Sequence, residues 1–106
     1  MQSLTFVYDA DMVLDRPIHV GVVASGDLEI VIIPEPDRLS ATVALRTSVD
    51  GFDAIWERVL DRFFKQGAFR ARYQINDFGA TPGLVSLRLA QARELAVAAS
   101  ESEAAQ

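Results

Sequence analysis

The sequence contains no cysteine and a single histidine, His19. This removes disulfides, thiolate-bound zinc, iron–sulfur ligation and thiol nucleophiles, and it leaves neither a His-rich metal site nor a Cys–His pair. Accordingly, no metal site and no catalytic residue is expected. Basic residues are outnumbered, ten Lys plus Arg against fifteen Asp plus Glu, for a net charge of −5. A nucleic-acid binder needs the opposite balance. Apolar runs such as Ile30–Ile33 fall far short of a membrane span, and acids arrive early at Asp9, Asp11 and Asp15 where a leader would be basic. A soluble, cytoplasmic protein with no direct membrane insertion is the expectation. Gly79-Ala80-Thr81-Pro82-Gly83 lacks the lysine of a Walker loop and the glycine spacing of a dinucleotide fold.

What remains is ordinary globular material. The chain has 106 residues, 50% hydrophobic and 24% charged, enough for one core and too short for two. We expect a single domain over residues 1–99 and a frayed tail over 100–106. Residues rich in β-branched and aromatic side chains predict strands at Leu4–Tyr8, Ile18–Ala24, Leu28–Ile33, Leu39–Thr47 and Phe69–Ile75. Phe52, Ile55, Trp56, Val59, Leu60, Phe63 and Phe64 recur at helical spacing on one face. Ser48 or Asp50 can cap that helix, and Gly67 can end it. A second helix is expected from Thr81-Pro82, with Thr as N-cap and Pro at the first helical position. It runs through Leu84, Val85, Leu87, Leu89, Ala92 and Leu95. The order ββββαβα reads as an α+β domain, a mostly antiparallel sheet of about five strands with two helices packed on one face.

Few residues could carry chemistry. His19 has no evident partner to orient it as a base and reads as structural. Asp27 and Glu29, two apart on a strand, would share a face and could form a carboxylate pair, although a solvated strand edge is the plainer reading. Asp61–Lys65 and its neighbours are ordinary helix-surface charge patterning. Ser25 stands between apolar strands within Ser25-Gly26-Asp27, a hairpin signal, and its small neighbours Ala24 and Gly26 leave its hydroxyl open. Nothing around it resembles a Gly-x-Ser-x-Gly elbow, and on these grounds alone it is a turn serine.

Two ordered segments give this serine a context. Ala24-Ser25-Gly26-Asp27-Leu28-Glu29 between apolar strands, and Asn76-Asp77-Phe78-Gly79-Ala80-Thr81-Pro82-Gly83 ahead of a Leu-rich helix, with Thr47-Ser48-Val49 between them, resemble the acyl carrier (delta) subunit of bacterial malonate decarboxylase. The resemblance covers about residues 2–97. It implies a phosphoprotein-type modification, in which Ser25, flanked by Gly26 and Asp27 in the cofactor-binding segment, carries 2'-(5''-phosphoribosyl)-3'-dephospho-coenzyme A through a phosphodiester. The terminal thiol of that group would hold acetyl and malonyl thioesters. The implied partners are the acetyl/malonyl transferase and decarboxylase subunits of a hetero-oligomer, a malonyl transferase and a dedicated holo-carrier synthase. The fold should not be the helical bundle of ordinary acyl carrier proteins. A citrate-lyase-type carrier shares the Ser-Gly-Asp segment and is one alternative; an unmodified scaffold is another. Residues 1–49, which hold Ser25, carry seven acids and three arginines, net −4, against −1 for residues 50–106. Partner surfaces facing this half are expected to be basic.

Overall fold

A computed structural model describes residues 1–104. Five strands, β1 (Gln2–Asp9), β2 (Ile18–Gly21), β3 (Leu28–Pro34), β4 (Ser40–Thr47) and β5 (Ala71–Asp77), are joined by α1 (Asp53–Phe64) and followed by α2 (Pro82–Ala104). They form one sheet in the order β1-β4-β5-β3-β2. The architecture is α+β in the expected order ββββαβα, not a helical bundle. The sheet is mixed: β4 and β5 run parallel at its centre, and the other three pairs are antiparallel. A parallel pair cannot be closed by a hairpin, so α1 serves as the crossover between β4 and β5.

The strands alternate in burial, as a sheet covered on one face must. Leu28, Ile30 and Ile32 of β3, Val43 and Leu45 of β4, and Tyr73 and Ile75 of β5 are buried under the helices. The other face carries rows such as Thr5, Ala44, Gln74, Val31 and His19, aligned by the register of all five strands. From α1, Trp56, Leu60 and Phe64 enter the core, while Phe52 (43% exposed) and Ile55 (36% exposed) stay at its margin. The seven-residue apolar face is therefore wider than the buried stripe. In α2 the buried residues are Val85, Leu89, Ala92 and Ala96, whereas Leu87 and Leu95 face outward. Arg93 links the helices: its guanidinium donates to the Phe63 and Gly67 carbonyls at 2.8 and 2.7 Å and lies 4.4 Å from the centre of the Phe63 ring. A cation there also complements the carboxyl end of α1. Tyr8 stacks on Phe64 at 4.4 Å and donates its hydroxyl to Asp61 at 2.7 Å, tying β1 to α1.

Several boundaries differ from the sequence reading. β2 ends at Gly21, not Ala24, because Gly21 adopts a φ of +79° and leaves the extended region. Neither Ser48 nor Asp50 caps α1; Phe52 occupies the N-cap position without a side-chain hydrogen bond. β5 is displaced to Ala71–Asp77. The start of α2 agrees with expectation, with Thr81 Oγ1 accepting from the Leu84 N–H at 3.2 Å. The Ala- and Glu-rich end of α2 continues to Ala104, inside the segment expected to fray. The rest of that expectation, on residues 105 and 106, lies outside the described residues.

Candidate functional site

The connection from β2 to β3 is a loop over residues 22–27, and Ser25 is exposed within it. The Asp27 N–H donates to the Ala24 carbonyl at 3.0 Å, which puts Ser25 and Gly26 at the two central positions of a tight turn. Gly26 has a φ of +78°, the positive value a type II turn requires there. Among the described residues the Ser25 hydroxyl has no hydrogen-bond partner.

The turn is held from beneath by residues far away in sequence. The Gly26 N–H donates to the Phe78 carbonyl at 2.7 Å, and the Phe78 N–H donates back to the Asp27 carbonyl at 2.9 Å. This extends the β3–β5 ladder by one step past Leu28 and Asp77. Asp27 forms a two-point ion pair with Arg88 of α2, from Nε to Oδ1 at 3.1 Å and from Nη2 to Oδ2 at 2.8 Å. Its Oδ1 also accepts from the Leu28 N–H at 2.7 Å. The Arg88 guanidinium, and after it the Leu28 N–H, hold the Asp27 carboxyl below the usual carboxylate range; the same hydrogen bond raises Arg88 further. Arg88 is fixed in turn by Gln91 at 3.0 Å.

Asp27 and Glu29 do not form a carboxylate pair. Asp27 turns to α2, whereas Glu29 accepts from Asn76 at 3.3 Å and meets His19 Nε2 at 3.1 Å on the open face. His19 is thus a strand-surface residue paired across β2 and β3. Arg88 was not legible as a site residue, since it lies 61 positions from Asp27 and no local pattern marks it.

Beside the turn, the C-terminal ends of β4 and β5 open into a cleft between α1 and α2. Its volume is about 310 Å³, and its lining includes Val49, Phe52, Ile55, Trp56, Val59 and Val85. Thr47 and Asp77 form its polar end, both buried. Thr47 Oγ1 donates to Asp77 Oδ2 at 2.8 Å and accepts from the Val49 N–H at 3.1 Å, while the Ala80 N–H donates to Asp77 Oδ1 at 3.0 Å. The Asn76–Gly83 segment therefore does two things: Phe78 holds the serine turn, and Asp77 closes the cleft. Among the described residues there is no cluster of His, Asp or Glu able to hold a metal, and no helix is long and apolar enough to cross a membrane.

Comparison with known proteins identifies the family. Residues 15–96 match the family model described as malonate decarboxylase delta subunit (MdcD). The malonate decarboxylase acyl carrier protein of Stenotrophomonas maltophilia strain K279a is 38% identical over 102 residues, covering 92% of this chain and 96% of its own. That of Xanthomonas euvesicatoria is 48% identical over 77 residues, covering 72% of this chain and 73% of its own. Among solved structures, a chain of a Pseudomonas malonate decarboxylase hetero-tetramer crystallised with malonate superimposes with a TM-score of 0.82 at 38% identity, over 89% of this chain and 97% of that one. A match spanning both the serine turn and the segment that supports it has one reading: the chain belongs to the malonate decarboxylase delta subunit family.

Proposed function

We propose that the chain is the acyl carrier subunit of a malonate decarboxylase and that Ser25 is the attachment point of 2'-(5''-phosphoribosyl)-3'-dephospho-coenzyme A. The observation that carries this is the exposed Ser25 hydroxyl, without a hydrogen-bond partner among the described residues, on a turn that the Phe78 backbone and Arg88 hold in place. The site fits a large substituent. Its neighbours Ala24 and Gly26 are small and exposed, and a Cβ built on Gly26 meets nothing within 4 Å. When bound, the group supplies a thiol, which a chain with no cysteine does not have, for an activated thioester.

The chain's own residues hold the point of attachment and do not activate it. Asp27 is the carboxylate next in sequence, but Arg88 and the Leu28 N–H occupy it and lower its basicity. As Oγ attacks phosphorus of an activated phosphoribosyl donor and displaces that donor's phosphate leaving group, the base that takes the Ser25 proton must come from the synthase. Gly26 and Asp27 are positioning residues: one supplies the turn's positive φ, the other fixes the turn to α2. The chain is then a non-catalytic carrier that presents its thioester to the transferase and decarboxylase subunits in the cytoplasm. Membership of the malonate family favours this over the citrate-lyase-type carrier and over an unmodified scaffold.

Mass spectrometry of the intact chain, taken from active complex of its native host, tests the assignment. The adduct should lie on the Ser25 peptide; active complex without it, or with it elsewhere, refutes the reading.

A further inference from the structure

We infer that the cleft between α1 and α2 seats the adenine ring of the group carried by Ser25; this rests on the attachment proposed above.

Position is the first argument. Gly26 and Phe78 are joined backbone to backbone at 2.7 Å, and Gly79, the next residue, already lines the cleft. That bond bounds the Ser25–Gly79 Cα separation to no more than about 15 Å. A phosphate and two ribose rings lie between the serine oxygen and the adenine, so the base is the first large apolar element the arm can place there. The pantetheine chain and thiol lie farther out. The base also branches off the arm instead of lying along it, so seating it leaves the route to the thiol unblocked.

Chemistry is the second. The cleft volume, about 310 Å³, lies at the lower end of the range for small-molecule sites. Its walls are apolar; the exposed Phe52 offers ring surface of the kind on which a base stacks, and Trp56, itself 6% exposed, also lines the cleft. Its polar end is a carboxylate, Asp77, 3% exposed. Thr47 and Ala80 donate one hydrogen bond to each of its oxygens, which leaves acceptor capacity on both. An acceptor at the end of an apolar slot suits a flat ring carrying an exocyclic amine. The same negative charge disfavours the diphosphate and a malonyl carboxylate, the other ends of the arm that could be drawn in. The exposure of Phe52 and Ile55 at the lip, large apolar side chains that α1 does not bury, fits a surface that a ligand covers.

The test compares unmodified chain, made in a host without the synthase, with chain carrying the adduct. Trp56 is the only tryptophan, so its emission reports on the cleft alone. Modification should quench it, and the adenine C2 and C8 protons should show nuclear Overhauser contacts to methyl groups of Val49, Ile55, Val59 and Val85. Val59→Phe, which fills the cleft from α1, should remove both signals while the adduct mass on Ser25 persists. The main comparison uses unmutated protein, so it stands even if this variant does not fold. An adduct on Ser25 with unchanged Trp56 emission and no adenine contacts to the cleft overturns the inference and leaves the carrier assignment standing. Active complex with no adduct on Ser25 overturns both.

Discussion

Two glycines frame the serine loop with the same backbone angle and opposite surroundings, so alanine at each separates two physical costs. Gly21 and Gly26 have φ values of +79° and +78°. An L-residue held in that region costs about 1–2 kcal/mol. At Gly26 that is the whole expected penalty, because a Cβ there meets nothing within 4 Å. At Gly21 a Cβ would lie 2.0 Å from the carbonyl oxygen of Leu28, a backbone atom that cannot swing aside. The end of β2 must move away from β3, adding about 1–3 kcal/mol of overpacking. Gly26→Ala should therefore cost about 1–2 kcal/mol and Gly21→Ala about 2–5 kcal/mol. Urea denaturation of the unmodified chain, followed by Trp56 emission, measures both. The slopes should match wild type, so the midpoints can be compared directly. Equal losses at the two positions would refute the reasoning, since the contact between Gly21 and Leu28 would then carry no energy.

Four further outcomes are expected. Ser25→Ala should abolish malonate decarboxylation by the assembled complex while leaving the stability within about 0.5 kcal/mol of wild type, because the residue is exposed and its hydroxyl has no hydrogen-bond partner among the described residues; retained activity in a turnover assay would contradict the assignment. Leu60→Ala, at a position with no exposure, should cost about 2–5 kcal/mol in the same denaturation assay. The folded pKa of Asp27 is depressed, so its contribution to stability is complete above its unfolded value near 3.8 and fades as pH falls through the folded value. Amide exchange in residues 22–28 should then accelerate in that acidic range, and Arg88→Gln should remove the pH step. Malonyl transfer to the modified chain should slow as ionic strength rises if basic partner surfaces face residues 1–49; a salt-independent rate would exclude steering.

The core of α1 was legible because Trp56, Leu60 and Phe64 follow a local period, and the start of α2 because Thr81 and Pro82 are a local cap. Ser25 was legible as an open turn residue for the same reason, with glycine beside it supplying the required backbone. What escaped was non-local. No window of sequence shows that Arg88 reaches back to Asp27, that Thr47 meets Asp77 across 30 positions, or that Phe78 continues the ladder under the turn. The plainer reading of Asp27 and Glu29, a strand edge beside a turn and not a carboxylate pair, was also local; what the sequence placed one residue too far was the strand itself, since β3 begins at Leu28 and Asp27 obeys the turn's geometry. The exposed lip of α1 was hidden by a different limit. Periodicity gives the width of an apolar face, whereas burial depends on how much of that face a neighbour covers, and at Phe52 and Ile55 the cover stops.

The order of the strands also sets when the site can exist. β5 is the strand that pairs with both β4 and β3, and it is the last of these five strands to leave the ribosome. Until it arrives, β1 with β4 and β2 with β3 are separate pieces with no sheet between them. The turn's remaining supports come later still, at Phe78 and Arg88. Ser25 is therefore synthesised more than fifty residues ahead of Phe78 and more than sixty ahead of Arg88, and acquires its native setting only once both have followed. A synthase that reads the folded turn acts only after these supports have been made, and a chain cut short before residue 88 would offer it a turn without the Arg88 ion pair.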